Sequence, residues 1–276
     1  MQNDNGTPLL QQSAERGDYA FSVRFWAMYC GALFALIYSL YTGHGECLYR
    51  LLRTTRPVPG QAIQLLGSTT FYLRDPALNH PVVQDTVPFS AVAILVLCGI
   101  MTISFPSGVG KERNKINMLR SAAMGLQATV LTELLTSCAK NYTGFLRPNF
   151  YAGCGWSDDS MTCETSTQAQ LVFRQSFPSG HSAHSACIAA LVTLHLLRCA
   201  SLSVDGRAPT AVRLYQLAAH VPGAIAFAIA ASRVKDNWHH PADVVAGFGV
   251  GTACAMLNHC LFRDSGGASL VCNMPA

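Results

Sequence analysis

The residues best suited to chemistry lie in three short segments, KNYTGFLRP, FPSGH and SRVKDNWHHPAD. Within them we single out three cations, a group of histidines, a carboxylate and a small turn-forming pair. These residues are Lys140, Arg147, Ser179, Gly180, His181, Arg233, His239, His240 and Asp243. Three permanent cations favour a multiply charged anion, and arginine binds phosphate oxygens in a bidentate way. The composition of these segments therefore predicts a phosphate site.

The Pro-Ser-Gly step of the second segment fits the same ligand. Placed just before a helix, Ser179 and Gly180 would present free backbone N–H groups to an anion, and a glycine lets the backbone approach closely. A second copy, FPSGVG from Phe105 to Gly110, has Val109 in the place of His181. Because a helix boundary alone would not require a histidine, His181 is expected to have a chemical role.

Histidines in separate segments can divide a phosphoryl transfer between them, one attacking phosphorus and the other protonating the leaving oxygen. Asp243 lies four residues after His239 and three after His240, so on a helix it can orient either ring. The spacing alone leaves open which of the two attacks. The sequence offers no acidic cluster for a metal pair, so we expect no metal or other cofactor, with the cations in the role that Mg²⁺ plays elsewhere.

The composition indicates a membrane protein. Half of the 276 residues are apolar and 12% are charged, against about 25% in a typical soluble domain. The net charge of +4 is small and dispersed, which argues against a nucleic-acid partner. The polar start of the chain does not resemble a cleavable signal peptide.

About 20 mostly apolar residues are needed to cross a bilayer, and six segments qualify. They are Phe21–Tyr41, Val87–Phe105, Met118–Cys138, Ser182–Ala200, Ala211–Ala231 and Val244–Phe262. The sequence thus predicts an all-α integral membrane bundle of six transmembrane helices over residues 21–262, with polar cytosolic tails at 1–20 and 263–276. Six spans place all three chemical segments at the helix ends on one membrane face.

Other residues within the spans have weaker indications. Glu133 lies inside the third span, where an ionisable residue is a site candidate, although a packing hydrogen bond explains it equally well. His184, one turn after His181, is the remaining histidine closest to the chemistry. Gly247 and Gly251 permit close helix packing.

Lysine and arginine are nearly balanced between the two faces. The positive-inside rule favours cytosolic termini only if the site cations and Lys235 are set aside.

Cys154 and Cys163 share one polar loop, and the choice between a disulfide and free thiols stays open. The sequon at Asn141 overlaps the phosphate segment, so we expect no glycan there.

Together, K-x6-R-P, P-S-G-H and S-R-x5-H-x3-D resemble the three motifs of the type 2 phosphatidic acid phosphatase superfamily, without a departure. The six-span layout and the segment RDPALNHPVVQDTVP are similar to its lipid phosphate phosphatase branch. The resemblance implies that His239 is the nucleophile, oriented by Asp243, and that His181 is the acid. It also implies that the phosphate is bound by Lys140, Arg147, Ser179, Gly180 and Arg233, without Mg²⁺.

The expected function is a membrane lipid phosphate phosphatase whose site faces the lumen or the cell exterior. Its substrates would be phosphatidate and similar lipids: lysophosphatidate, sphingosine phosphate and diacylglycerol pyrophosphate. Two alternatives stay open: a polyprenyl or dolichyl diphosphate phosphatase, and a catalytically silent lipid-binding relative. The expected partners are the lipid substrate and the bilayer, and no sequence feature indicates an oligomer.

Overall fold

A computed structural model describes residue 31 and residues 53–64, 70–105, 111–204 and 209–264. The described chain is mostly helical. Its strands are β1 (Gly60–Gln64), β2 (Thr70–Arg74), β3 (Trp156–Ser157) and β4 (Thr162–Cys163). Its helices are α1 (Phe89–Ser104), α2 (Lys111–Thr143), α3 (Phe150–Cys154), α4 (Thr167–Phe173), α5 (Gly180–Val204), α6 (Pro209–Ala218), α7 (Val221–Lys235) and α8 (Pro241–Asp264), with a 3₁₀ turn at Pro76–Leu78.

Three helical segments are long and apolar enough to cross a membrane: Gly180–Ser201, Pro209–Lys235 and Pro241–Phe262. Large apolar side chains point outward from them, such as Phe227 at 71% exposure and Val245 at 73%. Such a surface is suited to lipid rather than to water. The protein is therefore an integral membrane protein with a helical architecture.

The other predicted spans compare as follows. Phe21–Tyr41 lies outside the described residues apart from residue 31, and the second span appears as the shorter apolar helix α1. The third lies within α2, which has 33 residues and is more polar than the three spanning segments. Because α2 continues to Thr143, it carries Lys140 in its last turn.

The fifth predicted span is interrupted. It consists of α6 and α7, separated by a turn at Ala219 and His220. Pro222 stands at the start of α7 and has no N–H to donate to the carbonyl of Ala218, so the helix cannot continue unbroken.

Helix α5 is central and packs against α1, α2, α7 and α8. Its contact with α8 is made possible by two glycines, as the sequence predicted. A Cβ at Gly247 would stand 2.4 Å from the Ser179 carbonyl oxygen, and one at Gly251 within 2 Å of the Ala183 carbonyl oxygen. The close approach brings the start of α8 against the start of α5.

The segment between α2 and α5 folds, together with Leu78 of the 3₁₀ turn, into a small cap at the ends of these helices. A cluster of buried residues forms its core: Leu78, Leu146, Phe150, Tyr151 and Cys154. Cys154 and Cys163 form a disulfide with Cα atoms 5.2 Å apart, which resolves the alternative left open by the sequence. Arg74 at the end of β2 pairs with Asp158 at 2.8 Å, so the β1–β2 hairpin is tied to the cap.

Candidate active site

His239 lies in the turn between α7 and α8 and is almost fully buried, with 3% exposure. Its Nδ1 is 2.7 Å from the backbone carbonyl oxygen of Ser176. Since a carbonyl can only accept, Nδ1 carries the proton and donates it. This contact leaves the lone pair of the ring on Nε2.

Asp243 supports His239 mainly through the neighbouring residues Ser176 and His240. Its Oδ2 lies 3.8 Å from Nδ1 of His239, which is too long for a hydrogen bond. The same oxygen accepts hydrogen bonds from the Ser176 hydroxyl at 2.5 Å and from the His240 backbone N–H at 2.9 Å. Asp243 thereby fixes the peptide whose carbonyl holds His239.

A backbone hydrogen bond joins the second and third motifs. The N–H of Ser179 donates to the carbonyl oxygen of Asp243 at 2.9 Å. Ser179 is fully buried, and Gly180 begins α5 directly after it. The phosphate turn and the histidine turn are therefore one connected unit. The prediction that the Ser179 N–H is free for an anion was wrong, because this N–H is already bonded to the Asp243 carbonyl.

His240 has a different environment from its neighbour. Its Nε2 is 3.1 Å from the Leu146 carbonyl oxygen, and its ring meets Phe145 edge-on with centroids 5.7 Å apart. Because Nε2 donates to a carbonyl, this nitrogen is not available as a nucleophile, and only Nδ1 of His240 keeps a lone pair.

Arg233 is 1% exposed and makes three polar contacts. Its guanidinium donates to Asp85 Oδ1 and to Asp236 Oδ2, each at 2.8 Å, and to the Ser232 hydroxyl at 3.1 Å. Asp236 in turn accepts from the backbone N–H and the hydroxyl of Thr86 at 2.7 and 2.6 Å. The segment before α1 thus fixes the third predicted cation.

Lys140 and Arg147 approach the site from the first motif. The Lys140 ammonium lies 3.2 Å from the position that a Cβ on Gly180 would occupy, so a larger residue there would crowd the cation. Arg147 stacks over Trp238 at 4.9 Å and donates to the Gln175 carbonyl oxygen at 3.4 Å. The stacking sets the plane of its guanidinium.

Two buried nitrogens of the motif residues, Arg147 Nε and His181 Nε2, have no hydrogen-bond partner among the described residues. Buried polar atoms are normally paired, so their grouping indicates a place where a polar ligand binds. Phe89 covers His181 edge-on, with ring centroids 5.4 Å apart.

The three motifs share one electrostatic environment. Burial, with the positive charges of Arg147 and Lys140, lowers the pKa of His239, in opposition to Asp243. Its ring is therefore neutral at pH 7. Burial and the nearby Arg233 lower the pKa of Arg147 to about 10, while Asp85 and Asp243 act in the opposite direction. Arg147 still carries its charge at neutral pH.

Glu133 and His184, the two additional residues indicated by the sequence, pair with each other. His184 Nε2 is 2.7 Å from Glu133 Oε2, and the Ser137 hydroxyl donates to Oε1 at 2.8 Å. Phe89 also meets His184, with centroids 5.9 Å apart. The pair lies one helical turn along α5 from His181.

The predicted sequon lies against the site. Asn141 is 9% exposed, and its Oδ1 accepts a hydrogen bond from Gln175 at 3.0 Å. The absence of a glycan at this amide stays a prediction. No group of three or more His, Cys, Asp or Glu residues suited to a metal ion occurs among the described residues.

Sequence reasoning missed four residues of this site: Phe89, Asp85, Asp236 and Ser176. Asp85 ends the segment RDPALNHPVVQD, which was already similar to a family pattern, and Asp236 lies within the third motif segment, three residues after Arg233. Phe89 and Ser176 give no local signal, because their roles depend on contacts with distant segments.

Comparison with known proteins agrees with the motifs. The family model described as the PAP2 superfamily matches residues 122–266, which is more than half of the chain. Those residues include every site residue predicted from the three motifs. No solved structure matches the chain.

Three curated relatives illustrate the likeness. Lipid phosphate phosphatase 2 of Arabidopsis thaliana is 26% identical over 64% of this chain and 62% of its own. Probable diacylglycerol pyrophosphate phosphatase 1 of Schizosaccharomyces pombe is 30% identical over 67% of this chain and 68% of its own. Diacylglycerol pyrophosphate phosphatase 1 of Saccharomyces cerevisiae is 30% identical over 64% and 65%. The chain spans about two thirds of the length of these relatives. With the family match over all three motifs, the chain belongs to the PAP2 superfamily.

Proposed function

We propose that the protein is a Mg²⁺-independent lipid phosphate phosphatase that hydrolyses phosphatidate and related lipid phosphates. The observation that carries the proposal is the grouping of Lys140, Arg147 and Arg233 around two histidines, with buried polar atoms left for a ligand. Two of the relatives are named a lipid phosphate phosphatase and a diacylglycerol pyrophosphate phosphatase, and these names support the same substrate class.

In the first step, Nε2 of His239 attacks phosphorus while the lipid–oxygen bond to phosphorus breaks. His181 donates its proton to the leaving alkoxide, which departs as a neutral lipid alcohol. The three cations, with the Ser179 hydroxyl and the Gly180 N–H, stabilise the charge on the equatorial oxygens. The products of this step are the alcohol, a phosphohistidine and a neutral His181.

In the second step, water attacks the phosphohistidine and the P–N bond breaks. His181, now neutral, accepts a proton from that water, and inorganic phosphate leaves. His239 and the protonated His181 are regenerated, so the cycle closes. The hydrogen bond from His239 Nδ1 to the Ser176 carbonyl supports His239 rather than His240 as the nucleophile.

The proposed membrane arrangement has six spans within residues 21–262, with cytosolic tails at 1–20 and 263–276. The site would face the lumen or the cell exterior. The three spanning segments and the apolar helix α1 support part of this arrangement. The site would then lie at the level of the lipid headgroups, where it can reach the phosphate of a lipid that remains in the bilayer.

The test is phosphate release from detergent-dispersed lipids in excess EDTA, with the unmodified protein and His239→Ala compared. The panel holds phosphatidate, lysophosphatidate, sphingosine 1-phosphate, diacylglycerol pyrophosphate and a polyprenyl diphosphate. We expect chelator-resistant release from the first four that the variant lacks.

Two results would overturn the proposal. Preference for the polyprenyl diphosphate would favour the first alternative function. Failure of the folded protein to release phosphate from any lipid would favour a silent lipid-binding relative.

A further inference from the structure

A cavity of about 410 Å³ lies beside the catalytic site, where the segment at residues 53–57 meets helix α4. Three of its lining residues are arginines, Arg53, Arg56 and Arg174, and none belongs to the three motifs. We refer to this cavity, lined by these three residues, as the arginine pocket.

Two of the three guanidinium groups are held in place. Arg174 donates to the backbone carbonyl of Arg56 at 2.7 Å and stacks over Phe150 at 5.0 Å. Arg56 donates to the Thr143 carbonyl at 2.7 Å and stacks over Phe145 at 4.6 Å. Both cations are therefore preorganised for a ligand.

The charges of Arg56 and Arg174 are not balanced by acids among the described residues. Among the described residues, neither Arg56 nor Arg174 forms an ion pair, and no carboxylate lines the pocket. Burial and the positive charge of Arg53 lower the pKa of Arg174. Fixed like charges at close range destabilise one another unless an anion binds between them.

The arginine pocket adjoins the catalytic site. A second, much smaller cavity shares Arg53, Leu171 and Arg174 with it and is also lined by Lys140. Lys140 is one of the three proposed catalytic cations. Lys140 therefore belongs to the proposed catalytic site and also lines a cavity that shares residues with the arginine pocket.

We infer that the arginine pocket is a second phosphate-binding site, distinct from the catalytic one. Its ligand is a phosphate group, since clustered arginines match phosphate oxygens. In a role that rests on the proposed function, it would receive inorganic phosphate as the product leaves past Lys140. The binding itself does not depend on turnover.

The test is equilibrium binding of radiolabelled inorganic phosphate to the purified full chain in detergent. We expect two sites per chain in the unmodified protein. Arg56→Gln and Arg174→Gln should each weaken one site about tenfold or more and leave the other in place. Lys140→Met should instead weaken the catalytic site. Arg213→Gln, on the exposed face of α6, is the matched control and should retain both.

A single phosphate site that is unaffected by Arg56→Gln and Arg174→Gln, in variants with an unchanged melting temperature, would overturn the inference. Using Arg56→Gln alongside Arg174→Gln guards against misfolding, because Arg56 is an exposed side chain. If the unmodified protein hydrolyses no lipid phosphate but still binds two phosphates per chain, the proposed function is contradicted and the arginine pocket is supported.

A third arm separates the two sources of phosphate. Micelles containing dioctanoyl phosphatidylglycerol are added to the unmodified protein with labelled phosphate bound. Displacement of label from the arginine-dependent site would assign it to lipid headgroups, and retention would assign it to free phosphate. Both results support a phosphate site.

Discussion

His239 and His181 face the same cluster of cations but are held in opposite ways. His239 is 3% exposed, and its Nδ1 is fixed by the Ser176 carbonyl with Asp243 behind it. His181 is more exposed, its Nε2 has no hydrogen-bond partner, and Phe89 meets its ring edge-on.

The difference matches the two proposed roles. A nucleophile needs a fixed direction of attack and an available lone pair. An acid that later acts as a base needs a nitrogen that can bond first to a lipid oxygen and then to water. Substitutions at the two histidines and at the groups that hold them should therefore have different effects on the reaction.

The strongest test substitutes the two adjacent histidines separately. His239→Gln should lower kcat about 10³-fold or more, because it removes the proposed nucleophile. His240→Gln should lower kcat less than about tenfold, because that ring is bonded to the Leu146 carbonyl. Labelling with ³²P-phosphatidate, quenched in alkaline detergent because a phosphohistidine is hydrolysed by acid, should give a phosphoenzyme in His240→Gln and none in His239→Gln. The reverse pattern would exchange the two roles.

The acid role of His181 predicts a dependence on the leaving group. His181→Ala should lower kcat/KM, which reports the leaving-group step and not the later attack of water, about 10²- to 10⁴-fold for phosphatidate. The loss should be much smaller for p-nitrophenyl phosphate, since a phenolate leaves without protonation. Rates for both substrates are compared in the same preparation. An equal loss for both would assign His181 to binding or structure.

The groups that hold His239 in place predict graded losses of kcat when they are substituted. Asp243→Ala should lower kcat about 10²-fold, because the Ser176 hydroxyl and the His240 N–H lose their common acceptor. Ser176→Ala should lower kcat about tenfold, since it removes one charge-assisted hydrogen bond and keeps the carbonyl that holds His239. KM should change little in both. A change confined to KM would show that these groups contribute to lipid binding instead.

The ¹⁵N chemical shifts of the His239 ring should stay constant over the pH range in which an ordinary histidine titrates. The lowered pKa of His239 means that its neutral form persists as the pH falls through the ordinary histidine value of about 6.5. In histidine-labelled protein, the ¹⁵N shifts should report a neutral ring with the proton on Nδ1 from pH 7.5 to 5.5. His239→Gln assigns the signals. A titration midpoint near 6.5 would refute the buried, neutral nucleophile.

The helical membrane character and the three motifs were predictable from local sequence, whereas the number of six spans stays a prediction. Apolar runs such as Val244–Phe262 indicate their own environment, and K-x6-R-P, P-S-G-H and S-R-x5-H-x3-D give residue types at fixed spacing. The close packing expected from Gly247 and Gly251 was confirmed, since small residues act on the neighbouring helix directly. The break between α6 and α7 was not predicted, because the apolar pattern outweighed the effect of one proline.

By itself, the sequence determined which groups are available for chemistry and that they lie near a membrane. Only the tertiary structure decided how each group is held. The Ser176 carbonyl lies 63 positions from His239, and Asp85 lies 148 positions from Arg233. The pairing of Glu133 with His184 and the arginine pocket likewise join segments far apart in the chain. Such contacts depend on how helices and loops meet in space, and no periodicity or local spacing specifies them.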